Sequence, residues 1–251
     1  QLTNIRNPHY RTAYRALSHS LPAGTYKISI QSEIEHLVKF DKNGVSSSFW
    51  MSDLDDRSFL EKYIPSNLDY DRFKMFFDVK VSGTRSTHNL ITNCGRSIVE
   101  NGWFRVKCPS FFNTSSLYFH LFPSSAHKVY ETAYKSISGK SIPVVTYGPS
   151  AKTLQRNSLV ILKELENDYG AWPHPHVIVF GWPPFSGGME YSGATTTSVS
   201  ALGHELHHSY FARGMFPAGG NAGWIDEALA SWRDNGYPQK ARRLSTKRMA
   251  G

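Results

Sequence analysis

The chain has 251 residues, 40% of them hydrophobic and 14% aromatic, with a formal net charge of +8. That length supports a real core in one large domain or two modest ones, and no run is long and apolar enough for an integral membrane segment. The Lys and Arg residues are scattered, apart from Lys240-Ala241-Arg242-Arg243 and Lys247-Arg248. No nucleic-acid-binding module is visible, so the charge is read as a solvated surface and no nucleic-acid partner is expected.

Residues 1 to about 22 are polar and irregular, with a short helical turn expected around Tyr10 to Leu17. Strand patterning begins at Tyr26-Lys27-Ile28-Ser29-Ile30, which alternates with period two. His36 to Phe40 and Val45 to Met51 flank Asp41-Lys42-Asn43-Gly44, whose Asn-Gly pair is a strong hairpin signal. Asp53 to Tyr63 is acidic at its start and predicts a short helix. Asp71 to Val81, Trp103 to Lys107 and Leu117 to Phe122 alternate again. Residues 23 to about 122 therefore predict an antiparallel β domain, and the first domain is set at residues 1–123.

The two cysteines, Cys94 and Cys108, sit at plausible strand ends. They can form a bridge that closes a short loop, or remain two free buried thiols. A chain that opens at Gln1 without a signal peptide is read as a processed product. With a bridge, this points to a secreted or periplasmic protein; a cytoplasmic one is the alternative.

From Ser124 the composition shifts, and residues 124–251 form the second domain. Ser124 or Ser125 caps a predicted helix to about Ile137, and Ile142 to Tyr147 is a strand. Pro149-Ser150 opens a helix to Tyr169 with Leu154, Leu159, Leu162 and Leu165 as its buried side, closed by Gly170. His176 to Phe180 is a strand, Trp182 to Phe185 a loop, and Gly188 to Ala194 a sheet-edge strand beside a cleft. His174 and His176 are read as loop residues rather than a second metal site.

Next comes Gly203-His204-Glu205-Leu206-His207-His208-Ser209-Tyr210, which contains H-E-x-x-H. Thr197 or Ser198 as N-cap, apolar Val199, Leu202, Leu206 and Phe211, and Gly214 as a stop predict a helix. On a helix, residues four apart share a face roughly 6 Å apart along the axis. His204 and His208 can thus point two imidazoles at one ion. Glu205, one step round, is placed to take a proton from an attacking water. A five-residue pattern also arises by chance, so the third ligand decides the matter. After a glycine-rich loop from Gly214 to Gly223, Trp224-Ile225-Asp226-Glu227-Ala228-Leu229-Ala230-Ser231-Trp232 reads as a second helix. Ile225, Leu229 and Trp232 make its apolar stripe, and Ala228 and Ala230 permit close packing. Glu227 stands in this buried-looking stretch, where a carboxylate needs a partner or a metal.

Eighteen residues separate His208 from Glu227. H-E-x-x-H, that spacing and a Glu inside W-x-D-E-A, with Gly187-Gly188-Met189-Glu190-Tyr191 upstream, are similar to the gluzincin aminopeptidases of the aminopeptidase N-like family. Tyr191 stands where Asn is usual in that family's G-x-M-E-N signature. The resemblance covers roughly residues 140 to 236. It implies an α+β fold, with an N-terminal antiparallel β domain followed by a thermolysin-like catalytic domain of mixed sheet and zinc-binding helices. It implies one Zn2+ per chain held by His204, His208 and Glu227, with Glu205 as general base. Glu190 would hold the free α-amino group of a peptide substrate, and Gly187, Gly188 and Met189 would lie along the substrate as an added strand. Asp226 supports a ligand or is an ordinary exposed carboxylate, and His207 is off the ligand face.

In the family a helical region follows and supplies an oxyanion-stabilising tyrosine. This chain stops at Gly251, twenty-four residues after Glu227, and the catalytic domain is expected to be truncated or to use another donor such as His207 or Tyr191. The expected function is zinc-dependent removal of N-terminal residues from peptides. A zinc endopeptidase of narrow specificity and a binding protein with a degenerate peptidase domain are the rivals.

Overall fold

The computed structural model describes residues 2–6, 13–17, 19–29, 31, 38–42, 44–51, 74–95, 97–110, 117–182, 187–214 and 224–236. The helix expected over Asp53 to Tyr63, most of the glycine-rich loop and everything after residue 236 lie outside these. So do Asn43 of the hairpin turn and residues 183–186 of the Trp182 loop.

Among the described residues the first half is β-structure, as the alternating segments predict, and every strand pair there is antiparallel. β1 (Leu2–Arg6) pairs with β2 (Ala13–Leu17). β3 (Val38–Asp41) and β4 (Gly44–Met51) form the Asn-Gly hairpin, with Asp41 opposite Gly44. They join β9 (Tyr118–Pro123) and β6 (His88–Thr92) in a sheet of order β3-β4-β9-β6. β5 (Phe76–Lys80), β8 (Trp103–Lys107) and β7 (Ile98–Glu100) make a second sheet of order β5-β8-β7. Two expectations are corrected. Residues 13–17 are strand, not a helical turn, because a paired ladder satisfies their backbone. Tyr26 to Ser29 form no strand despite their alternation, and Ile28 is 70% exposed; no ladder partner meets them among the described residues.

The second half is a five-stranded mixed sheet of order β10-β11-β12-β14-β13. Its strands are β10 (Tyr130–Lys135), β11 (Ser141–Tyr147), β12 (Val177–Gly181), β13 (Gly188–Tyr191) and β14 (Ala194–Thr197). β11, β12 and β14 run parallel, while β10 and β13 are antiparallel edges. A parallel step needs a crossover, and α1 (Ala151–Tyr169) supplies the one between β11 and β12. α2 (Leu202–Phe211) follows β14, and α3 (Trp224–Asp234) follows α2.

The helix expected over Ser124 to Ile137 is instead β10. Its Tyr-Glu-Thr-Ala-Tyr-Lys alternates, and Tyr134 enters the core, where its hydroxyl donates to Glu166 at 2.8 Å. The single strand expected over Gly188 to Ala194 is two strands around a turn at Ser192-Gly193. Gly193 has φ 69° and lies so close to His174 that a Cβ would come within 2.8 Å of its Cβ. α2 starts later than expected. Thr197 ends β14, Val199 is exposed, and the N-cap position is Ala201, whose N–H donates to Ser198 Oγ at 3.2 Å.

The mixed sheet is covered on both faces. On one, Leu154, Leu162 and Leu165 of α1 and Leu202 and Leu206 of α2 pack on Ile142, Val144, Val177 and Val179. On the other, Tyr118 and Phe122 of β9 meet Tyr147, Ile178, Phe180 and Tyr191. β9 is buried at every position because its alternate residues Phe119 and Leu121 enter the core of the first half. It is the strand that holds the two halves in register. No helix among the described residues is long and apolar enough to cross a membrane.

Cys94 and Cys108 form a disulfide, fourteen residues apart, inside that first-half core. A loop of this size contributes about 3 kcal/mol in the chain-entropy model. Replacing both cysteines by serine is expected to lower unfolding free energy by about that amount in urea titration. A loss under about 0.5 kcal/mol would show that the bridge constrains nothing the sheet does not already hold.

Candidate metal centre

The site is built on α2. Leu202 and Leu206 bury one face of the helix against the sheet, and this aims His204 and His208 toward α3. Their ring centroids are 4.7 Å apart. Glu227, on the first turn of α3, reaches both imidazoles, with Oε2 3.2 Å from His204 Nε2 and Oε1 3.8 Å from His208 Nε2. Donor atoms of His204, His208 and Glu227 lie within 4.8 Å of one another. Zinc bound tetrahedrally by imidazole at about 2.0–2.1 Å needs donors roughly 3.4 Å apart, and the two observed distances bracket that spacing.

The far side of each ring strengthens the fit. His204 Nδ1 is 2.7 Å from Asp234 Oδ2, and His208 Nδ1 bonds Asp226 Oδ1. A carboxylate only accepts, so each Nδ1 donates, and each Nε2 faces Glu227. Three donors of the kind zinc prefers are therefore oriented before any ion arrives. Burial alone would lower the His208 pKa, but the Asp226 hydrogen bond and the nearby Glu190 charge hold it above the ordinary imidazole value.

Glu205 is 5% exposed. Burial, with the Glu190 charge adding to it, pushes its carboxyl up to about 8. It packs under the edge strand. A Cβ at Gly188 would lie 2.4 Å from the Thr196 carbonyl oxygen and 2.7 Å from the Glu205 carboxyl carbon, so only glycine lets the strand approach this closely. Gly187 and Gly188 are exposed and Met189 half-buried, all at the outer edge of the sheet. Glu190 is buried there, and a donor atom of it lies within 4.8 Å of both His208 and Asp226.

No protein-family model matches the chain, and no curated protein does. Solved structures do. An M1 zinc metallopeptidase from Deinococcus radiodurans superposes with a TM-score of 0.59 at 16% identity, over 75% of this chain and 45% of that one. A variant of the M1 zinc metallopeptidase from that organism, bound to a Tyr-Ser-Ala substrate, gives 0.58 at 15% identity over 75% and 45%. A two-domain M1 zinc metallopeptidase bound to L-arginine gives 0.53 at 16% identity over 66% and 40%. The likeness is one of fold. The chain spans less than half the length of these structures.

Other residues fall differently from the sequence reading. Glu227 is not buried: its side chain is 67% exposed. Of the stripe around it, Ile225 and Trp232 are exposed and Leu229 is half-buried; Ala228 is exposed and Ala230 buried. The carboxylate is in place because of what it faces, not because of what surrounds it. His207 points toward α1, with Nε2 3.2 Å from the Tyr169 hydroxyl and its ring stacked on Phe211. Tyr191 is 1% exposed with its ring 5.4 Å from that of Tyr118. Neither of these two proposed oxyanion donors faces the metal cradle. His174 and His176 are buried structural residues, and His174 Nε2 meets the Ser209 carbonyl at 2.9 Å. Two residues escaped the sequence reading. Asp234 lies seven positions after Glu227, two helical turns along one face, and that spacing could have found it. Arg213, which pairs with Glu190 at 3.2 Å, gave no such signal.

Proposed function

We propose that this protein is a zinc-dependent peptidase that hydrolyses peptide bonds, most directly at the N-terminal end of a peptide. The observation that carries this reading is the aim of both Nε2 atoms at Glu227 while both Nδ1 atoms are held by carboxylates. His204, His208 and Glu227 are assigned as ligands of one zinc ion, which supplies Lewis acidity at the scissile carbonyl. Residues 124–251 are assigned as the peptidase domain and 1–123 as its β-rich companion.

Glu205 is assigned as the general base. Its enclosure raises its proton affinity, and a divalent cation beside it lowers it again, which leaves a carboxylate able to take and return a proton near neutral pH. The edge position of β13 leaves room for a substrate backbone to add as a further strand, with Gly187 and Gly188 permitting close approach. Glu190, at the end of that strand, is assigned to the substrate's amino terminus. A second reading, a peptidase that does not require a free amino end, is favoured by the Arg213–Glu190 pair. The Cys94–Cys108 bridge suits the secreted or periplasmic location we propose.

Full-length protein purified without chelator is expected to carry one zinc per chain by elemental analysis and to hydrolyse amino-acid anilides. Absence of zinc binding after titration with zinc salt sinks the reading, whatever else the protein does.

A further inference from the structure

Glu190, the acid assigned to the substrate's amino terminus, already has a cation beside it. Arg213 Nη2 lies 3.2 Å from Glu190 Oε1, and the Arg213 side chain is fully enclosed (0% exposed) while that of Glu190 is 11% exposed. Arg213 is fixed by its own backbone. Its N–H donates to the His208 carbonyl at 2.9 Å, and its carbonyl accepts from Ser192 Oγ at 3.5 Å. The next residue, Gly214, passes so near the end of α2 that a Cβ there would lie 2.5 Å from the Ser209 carbonyl oxygen. Helix end, guanidinium and edge strand thus form one rigid unit.

We propose that Arg213 is a positioning residue that occupies one oxygen of Glu190 and so weakens the selection for a free amino terminus, opening the site to peptides whose amino end is blocked or extended. This rests on the peptidase reading above. A guanidinium stays charged at any ordinary pH. Paired with it, Glu190 is half of a neutral couple. An incoming α-ammonium gains the remaining carboxylate oxygen but is repelled by the arginine behind it, so a free amine adds little binding over a blocked one. Because Arg213 is enclosed, it acts on substrate only through Glu190.

The test is calorimetric binding of leucine hydroxamate and N-acetyl-leucine hydroxamate to the zinc-loaded full chain. It needs no turnover. The wild-type protein is expected to bind the two with similar affinity. Arg213→Met is expected to raise the preference for the free amine by about tenfold or more, and Arg213→Lys to leave it near the wild-type value. Glu190→Gln keeps an acceptor for Arg213 and gives a second route should Arg213→Met not fold: the ratio is expected to change little. An unchanged ratio in folded, zinc-loaded Arg213→Met overturns the proposal, leaving Arg213 a structural residue. So does a wild-type protein that prefers the free amine by about tenfold and loses that preference in Glu190→Gln, since Glu190 would then be a full anchor. If zinc is loaded and neither hydroxamate binds, the peptidase reading fails first and the role of Arg213 with it.

Discussion

Glu205→Gln is expected to bind zinc as the native protein does and to hydrolyse peptides about a hundredfold to ten-thousandfold more slowly. Gln has the volume of Glu, so the close contact under Gly188 survives the change. Glu205 is also not one of the three converging donors. What disappears is the only function assigned to it, taking a proton from water and passing it on. The same substitution removes a buried carboxyl whose pKa is pushed up to about 8 by burial and by Glu190, so the protein should become no less stable for it. Zinc content, thermal midpoint and turnover on one preparation separate the possibilities. Unchanged turnover means that Glu205 is not the base, and lost zinc means that the cradle is arranged differently.

Acid is expected to unfold the protein between pH 6.5 and 4. Three buried histidines outside the proposed ligand set are held neutral. His120 is lowered to about 3 and His174 and His176 to about 4, in each case first by burial; the His127 charge adds for His120 and the His174 charge for His176. In the unfolded chain each takes a proton near pH 6.5, whereas in the fold it does not until these lower values. A depressed folded pKa contributes stability that is present above pH 6.5 and lost as pH falls toward the folded value. Each group removes about 1.4 kcal/mol per pH unit across that window. Together they reach the scale of a domain's whole stability, roughly 5–15 kcal/mol. Circular dichroism against pH measures the transition, and proton uptake on unfolding at pH 5 should fall by about one in His174→Gln or His176→Gln. Native near-ultraviolet signal persisting at pH 3.5 would falsify the assignment of these rings as neutral.

Much of the architecture was legible because it rests on local pattern. Alternation located β5, β8 and β9, the Asn-Gly pair located a hairpin, and the leucine spacing of α1 matched its buried face. Where pattern misled, the deciding contact was distant. Tyr130 to Lys135 forms a strand because β11 pairs with it six residues deep. Tyr26 to Ser29 alternates equally well and has no such partner among the described residues. The site divides the same way. His204 and His208 follow from helical geometry alone. Glu227 was marked by its eighteen-residue spacing and the family resemblance, while the burial inferred for it is absent. Asp234 and Arg213 act across elements, on His204 and Glu190; only Asp234, two turns after Glu227 on one helix face, leaves a trace in the sequence. Glu166 is a reminder of the opposite kind: a buried acid satisfied by Tyr134, Ser136, Ile137 and Trp172 needs no metal and no substrate.

Helix α3 brings Asp226, Glu227 and Asp234 to the imidazoles of α2, yet of its own side chains it buries only Ala230. Beside Ala230 and the half-buried Leu229, its grip on the body runs through those acids and through Arg233, which bonds Glu164 of α1 at 2.7 Å. A divalent ion seated between the two helices would work as a rivet as well as a reagent, fastening a segment that greasy contact barely retains. Loss of such an ion and loosening of this helix would then be a single event, and the protein's shape at that corner would follow how much metal its surroundings offer.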